Sequence, residues 1–406
     1  MSDLGMAYAE TGMRALLDEP GVRAPHESRI LVVEDDPTYR TLLLLTLKRN
    51  GFTNVQTAVD GNDALAQAAA APPDLVLLDI LMPDMDGFTL CRRMRADPRF
   101  ADIPILVQTV LDNPNDRVRA FRCGATDLVT KPLDTRELIA RISIHVERRQ
   151  LIEGLTGFQS RMKEELRLAR QMQHDLLPTE AAIEAIRARY RVDVAGYFEP
   201  CSEIGGDLWG IRPIDDSRFG VYVLDFAGHG VASALNTFRI QTMIAELWAL
   251  AAEPAMLLEN LNQRLCETLS IGQFATMFFA TLDLGYAAIE FAAAGAPAGV
   301  LVGHAEGPPS LLDGTGLPLG LSSAASYPCR HAAMPPGASL FLVSDGLLEA
   351  RDRDGAMLGA AGLSAVAARS ASERNAGAAV AAVVDDFVRR TTGPLADDLT
   401  VVCLRR

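Results

Sequence analysis

Five short apolar runs recur between residues 30 and 130: ILVVE, VQTAV, DLVLLD, IPILVQT and DLVT. The stretches between them carry helical periodicity, as in TYRTLLLLTLKRNG, where Gly51 supplies a C-cap. Five strands alternating with helices predict a doubly wound parallel sheet, the α/β class, over residues 28–148. Ligands of such sheets bind at the C-terminal ends of the strands. The acids Glu34 and Asp35 after ILVV, and Asp79 after LVLL, fall at those ends. Residues 1–27 read as a weakly ordered extension.

A different texture begins past Tyr190. Strand-like runs such as RVDVAGYF, RFGVYVLD, FATMFFATLD, AAIEFAAAG, SLFLVSD and DLTVVCLR are separated by Gly, Pro and Asp turns. Two long helical stretches, near 231–250 and 376–391, stand apart from them. This pattern predicts an α+β domain over 181–406, two packed sheets flanked by helices. Between the two textures, 149–180 reads as a helical linker that Pro178 should end. Leu151, Leu155, Phe158, Met162, Ala169, Met172 and Leu176 form a heptad seam with Glu165 at one core position. The same spacing suits a helix packed on its own domain, but a seam joining two domains is expected to be a homodimeric coiled coil.

At 406 residues the chain exceeds one compact core. Its 38 basic and 52 acidic side chains leave a formal net charge of −14, which disfavours nucleic acid and anionic membrane as partners. No apolar run reaches the ~18–20 residues that span a bilayer, and the acidic N-terminus does not read as a secretory signal. Six scattered cysteines without a C-x-x-C pair suit a reducing cytoplasm, and none has the arginine spacing of a cysteine-nucleophile phosphatase loop.

If the first and third strands are neighbours, Glu34, Asp35 and Asp79 converge and repel one another unless a hard cation such as Mg²⁺ joins them. A carboxylate beside that cation can act as nucleophile toward a phosphoryl group. Thr109 and Lys131, at the ends of the next two strands, would contact its oxygens. ILVVEDDP, LVLLDILMPDMDGF, VQT and CGATDLVTKP, in this order, resemble response-regulator receiver domains. The resemblance implies Asp79 as phosphoacceptor, Glu34 and Asp35 as metal-binding acids, a metal contact from the Leu81 carbonyl, and Thr109 with Lys131 as the switch pair. It also implies a cognate histidine kinase. Leu128 stands where the family carries an aromatic switch residue.

In the second domain the run VLDFAGHGVASAL ends a strand on Asp225 just before Gly228 and Gly230. A carboxylate at the mouth of a buried strand is costly unless a cation or hydrogen bonds satisfy it. Asp207 follows a Gly-Gly turn, Asp345 ends another strand, and Asp397–Asp398 precede the last one. Together they could hold two cations, with Asp225 bridging, that activate water and clamp a phosphate. QMQHDLLP, EIGGD, DFAGHGVASAL, FATMFFATLD, AAAGAPAGVL, GLPLGL, SDGLLEA and DDLTVV resemble the SpoIIE/RsbU-like branch of the metal-dependent protein serine/threonine phosphatases (PPM). That resemblance implies Asp207, Asp225, Asp345, Asp397 and the Phe226 carbonyl as ligands of two Mn²⁺ or Mg²⁺. His229 is expected to pack at a helix start rather than act on substrate. The substrate implied is a phosphorylated STAS-type anti-sigma-factor antagonist in a partner-switching pathway. The alternative is an inactive phosphatase-fold adaptor, which loss of a ligand aspartate would mark; none is lost. The GGD at 205–207 is followed by Leu208-Trp209 rather than the Glu-Phe of a cyclic-dinucleotide synthase.

Overall fold

The computed structural model describes residues 25–109, 114–228, 230–270, 272–303, 307–352, 355–391, 393 and 395–406. The expected extension lies outside the described residues up to 24, and Pro25–Glu27 form a 3-10 turn. His229 also lies outside them. The chain forms two compact units, Met1–Lys163 and Glu164–Arg406. Among the described residues no helix is long and apolar enough to cross a membrane.

The first unit is built on β1 (Ile30–Val33), β2 (Val55–Ala58), β3 (Leu75–Asp79), β4 (Ile105–Thr109) and β5 (Asp127–Thr130). They pair in parallel in the order β2-β1-β3-β4-β5. The three central strands β1, β3 and β4 are buried on both faces because both are covered, whereas β2 and β5 at the edges are partly exposed. Leu31, Val33, Val76, Leu78, Ile105 and Val107 face α2 (Gly61–Ala70), α3 (Gly87–Ala96) and α4 (Pro114–Arg122). Their neighbours Ile30, Val32, Leu75, Leu77, Leu106 and Val129 face α1 (Pro37–Arg49) and α5 (Thr135–His174). Asp36, Asp60 and Asp86 are the N-caps of α1, α2 and α3, each accepting from a backbone N–H two or three residues on.

Helix α5 runs unbroken across the Lys163/Glu164 boundary. Leu155, Phe158, Met162 and Met172 of the expected seam are exposed, as is Glu165. Leu176 leaves the seam. The helix stops at His174, four residues before Pro178, and the following turn packs Leu176 and Leu177 against the core of the second unit.

That unit is a sandwich of two five-stranded antiparallel sheets. One has the order β13-β10-β9-β8-β7, from β7 (Asp207–Pro213), β8 (Arg218–Phe226), β9 (Ala275–Asp283), β10 (Ala288–Ala294) and β13 (Arg330–Ala333). The other, β12-β11-β14-β15-β6, uses β6 (Asp193–Glu199), β11 (Gly299–Val302), β12 (Ser310–Leu312), β14 (Ser339–Val343) and β15 (Leu399–Arg405). Trp209, Val221, Val223, Phe278, Leu340 and Val402 fill the space between the sheets. Alternate residues point outward, as the two-residue period of a strand requires. Leu208, Tyr222 and Leu224 meet α7 (Val231–Glu246) and α8 (Pro254–Thr268), whereas Phe341, Val401 and Cys403 meet α10 (Gly359–Ser370) and α11 (Ala376–Arg390). Two shorter helices, α6 (Glu180–Tyr190) and α9 (Asp345–Glu349), complete it.

Candidate functional site

In the first unit the strand ends bring Glu34, Asp79, Thr109 and Lys131 to one edge of the sheet, all but Lys131 buried. The Lys131 ammonium lies 3.0 Å from Glu34 Oε2 and 2.8 Å from Asp79 Oδ2. Asp35 is more exposed, yet its carboxylate lies within 4.8 Å of those of Glu34 and Asp79. Burial and the Asp79 charge push the Glu34 carboxyl upward against the pull of Lys131. Burial also works against the Lys131 ammonium, but its hydrogen bonds to Asp79 and Glu34 outweigh that and raise its pKa. Three carboxylates around one ammonium leave surplus negative charge and only oxygen donors, which suits Mg²⁺. The Leu81 N–H approaches Asp79 Oδ1 at 3.4 Å. Leu128 packs half-buried beside the cluster that contains Ile105 and Val107.

In the second unit the register sets Asp207 directly opposite Asp225 on adjacent antiparallel strands. Asp207, directly after Gly205-Gly206, begins β7, because its backbone pairs with β8. Like charges facing each other across a ladder are destabilising. Asp345 follows β14 as the first residue of α9, and Asp397 precedes β15, so these carboxylates approach from the other sheet. Burial and then the neighbouring carboxylates push Asp207 and Asp225 far above the ordinary carboxylate range, and Asp345 upward as well.

The details fit a cation centre. Asp207 is 1% exposed; one carboxylate oxygen accepts from the Thr400 hydroxyl at 2.6 Å, and Oδ1 is buried without a hydrogen-bond partner among the described residues. A Cβ on Gly206 would stand 2.7 Å from the Phe226 carbonyl oxygen and 3.1 Å from Asp225 Oδ1. Only glycine keeps that carbonyl open to the cluster. Gly228 and Gly230 have φ of 90° and 91°, which turn the chain from β8 into α7. An all-oxygen set of this kind selects hard cations such as Mg²⁺ or Mn²⁺.

Of the Asp397–Asp398 pair, the resemblance named Asp397 as a ligand and gave Asp398 no role. Asp397 is exposed, whereas buried Asp398 accepts from the backbone N–H groups of Cys201 at 2.7 Å, Gly206 at 2.5 Å and Asp207 at 3.3 Å. Asp398 thus holds the loop that presents Asp207. Cys201, whose sulfur lies near both acids, is kept protonated by burial and by Asp398, which push its thiol to about 12. Gln173 also escaped notice, although QMQHDLLP contains it. At the end of α5 and 1% exposed, its amide donates to the Gly205 carbonyl at 2.6 Å and accepts from the Gly205 N–H at 3.1 Å.

Comparison with known families follows this division. The Response regulator receiver domain model matches residues 30–143, and the Stage II sporulation protein E (SpoIIE) model matches 215–406. The chain joins a response-regulator receiver domain to a SpoIIE domain. The SpoIIE match begins after Asp207, which β7 supplies from outside it. The receiver domain is 45% identical over 114 residues to the DNA-binding dual master transcriptional regulator RpaA of Synechocystis, covering 28% of this chain and 47% of that protein. It is also 45% identical over 115 residues to the response regulator PleD of Caulobacter vibrioides, covering 28% and 25%. The chain spans less than half the length of these curated relatives. The SiaA-PP2C domain of Pseudomonas aeruginosa superposes with a TM-score of 0.54 at 22% identity, covering 62% of this chain and 98% of that one, a likeness of fold. The SpoIIE domain accordingly has the PP2C fold.

Proposed function

We propose that this chain is a two-component response regulator in which phosphorylation of the receiver on Asp79 controls a metal-dependent phosphatase acting on phosphoserine or phosphothreonine of a protein. The observation that carries the reading is the register opposition of Asp207 and Asp225, with one Asp207 oxygen buried and unpartnered among the described residues and the charges of Asp345 and Asp397 bearing on Asp225. Such a cluster is a liability in a protein without cations and an asset in one that binds two.

Asp225, Asp207, Asp345, Asp397 and the Phe226 carbonyl would hold the two cations, with Asp225 shared between them. Two divalent cations held there supply charge neutralisation for a phosphoryl group and a water of lowered pKa. In the hydrolysis proposed, a water oxygen bonds to phosphorus and the bond from phosphorus to the seryl oxygen breaks. The seryl oxygen departs with that electron pair and takes up a proton. Thr400 fixes one oxygen of Asp207 and leaves the other for the cluster, while Asp398 keeps the loop in place. Beside Asp397 a cavity of about 370 Å³, bordered by Gly346, Arg351, Met357, Phe387 and Leu395, leaves room for residues flanking the phosphorylated side chain.

In the receiver, Glu34, Asp35, Asp79 and the Leu81 carbonyl would hold Mg²⁺. An Asp79 oxygen attacks the phosphorus of the donor, and the donor leaves with the electrons of its former bond to phosphorus. Lys131 and Thr109 meet the new phosphoryl oxygens. The donor proposed in the cell is a cognate histidine kinase. The substrate proposed, on the resemblance to SpoIIE/RsbU-like phosphatases, is a phosphorylated STAS-type anti-sigma-factor antagonist in a cytoplasmic partner-switching pathway. The exposed seam of α5 is proposed to pair with a second copy of the chain. Gln173 then gives the end of that helix a direct hold on the Gly205–Asp207 loop.

Incubating the purified chain with a phosphoserine protein and Mn²⁺ tests the enzyme. Metal-dependent phosphate release is expected, abolished by chelation; no release at any Mn²⁺ concentration returns the inactive-adaptor reading.

A further inference from the structure

The Lys131 ammonium has a third neighbour besides its two carboxylates. The ring of Tyr39 lies with its centroid 4.4 Å from Lys131 Nζ, within cation–π range. Tyr39 is well placed for this. Its own N–H donates to the Asp36 N-cap at 2.7 Å, fixing it in the first turn of α1, and its ring packs against the core that α1 and α5 share. The Lys131 side chain is only 16% exposed, and a ring face attracts a cation most strongly once water is excluded.

The two carboxylates and the ring hold the ammonium differently. Hydrogen bonds to Glu34 and Asp79 are directional and break when the ammonium shifts. The attraction of a ring face is broad and survives a small displacement. When Asp79 becomes an acyl phosphate, its bond to Lys131 has to be exchanged for one to a phosphoryl oxygen. We propose that Tyr39 is a positioning residue for phosphoryl transfer to Asp79, its ring carrying the Lys131 ammonium as it passes from the carboxylate to the phosphoryl oxygens. This rests on the reading of Asp79 as the acceptor. The Tyr39 hydroxyl is buried and has no hydrogen-bond partner among the described residues, so the ring and not the hydroxyl does this.

The full chain with Mg²⁺ and phosphorus-labelled acetyl phosphate provides one test. Tyr39→Phe keeps the ring and should label within about twofold of wild type, whereas Tyr39→Leu should label ~10-fold more slowly. Tyr39→Met, which fills similar space without a ring face, should follow Tyr39→Leu even if one of the two folds poorly. A second readout needs no metal. The chain has three lysines, Lys48, Lys131 and Lys163, so acylation of each can be followed by mass spectrometry. Relative to the exposed Lys48 and Lys163, Lys131 should react ~5-fold faster in both ring-less variants and be unchanged in Tyr39→Phe. Wild-type labelling and Lys131 reactivity in Tyr39→Leu and Tyr39→Met would overturn the proposal, as would Tyr39→Phe behaving like them. Labelling that survives Asp79→Asn would instead overturn the acceptor reading beneath it.

Discussion

Asp225 is held in a conformation that the rest of the domain makes expensive. It faces Asp207 across the ladder, has burial and four other carboxylates acting against its charge, and sits beside a carbonyl that Gly206 leaves bare. Asp225→Asn removes one charge from that cluster, so two quantities should move in opposite directions. Mn²⁺-dependent turnover should fall at least ~100-fold, while the Tm of the metal-free protein should stay level or rise because repulsion is relieved. Thermal melting with and without Mn²⁺, beside a phosphatase assay, checks both; a mutant with wild-type turnover excludes the two-cation assignment. Thr400→Val deletes a hydroxyl that orients Asp207, and should raise the Mn²⁺ concentration needed for half activity ~10-fold. The clustering of these acids was legible because several of them fall at strand ends within one domain, although each alone could be a turn or cap residue. Asp398 and Gln173 were not, since their partners are backbone groups far along the chain, at Gly206 and Gly205.

Among the elements, the central parallel strands could be read directly, because continuous apolar runs such as LVLLD are what burial on two faces demands, and the edge strands VQTA and DLVT followed from the alternation with helices. β13 could not. Its sequence RHAA is mostly exposed on a sheet edge and offers no apolar pattern. β7 hid for another reason, as its DLWGIRP interrupts alternation with Gly210, which lies against the Tyr222 ring. Of the residues expected in the α5 seam, Leu176 finds a partner in the SpoIIE core instead, which spacing alone could not distinguish. Two predictions belong to this helix. Gln173→Leu loses both hydrogen bonds to Gly205, in a site too buried for water to replace them, and should lower turnover ~10-fold or more with little change in phosphorylation of the receiver. Glu165→Leu replaces the one acid of the seam by an apolar side chain. It should tighten dimerisation, measured by analytical ultracentrifugation, and blunt the response of turnover to acetyl phosphate. A mutant that dimerises no better and responds as before would make α5 a tether.

For the whole molecule, the account is that one acidic site governs another. Both are clusters of carboxylates near strand ends suited to a cation, yet they stand on unrelated architectures, one a parallel sheet and the other a pair of antiparallel sheets. The order of the two domains along the chain was plain from the change of texture past Tyr190, whereas the direction of control leaves no trace in composition or spacing. Coupling between domains is worth a factor of about 5 to 150 in typical systems. The most direct test measures turnover of a phosphoserine protein by the full chain in Mn²⁺ and Mg²⁺, with and without acetyl phosphate, for wild type and Asp79→Asn. The account predicts that acetyl phosphate changes wild-type turnover at least ~5-fold, in whichever direction, and leaves Asp79→Asn unaffected. Equal turnover with and without acetyl phosphate in a wild type shown to be phosphorylated on Asp79 would contradict it.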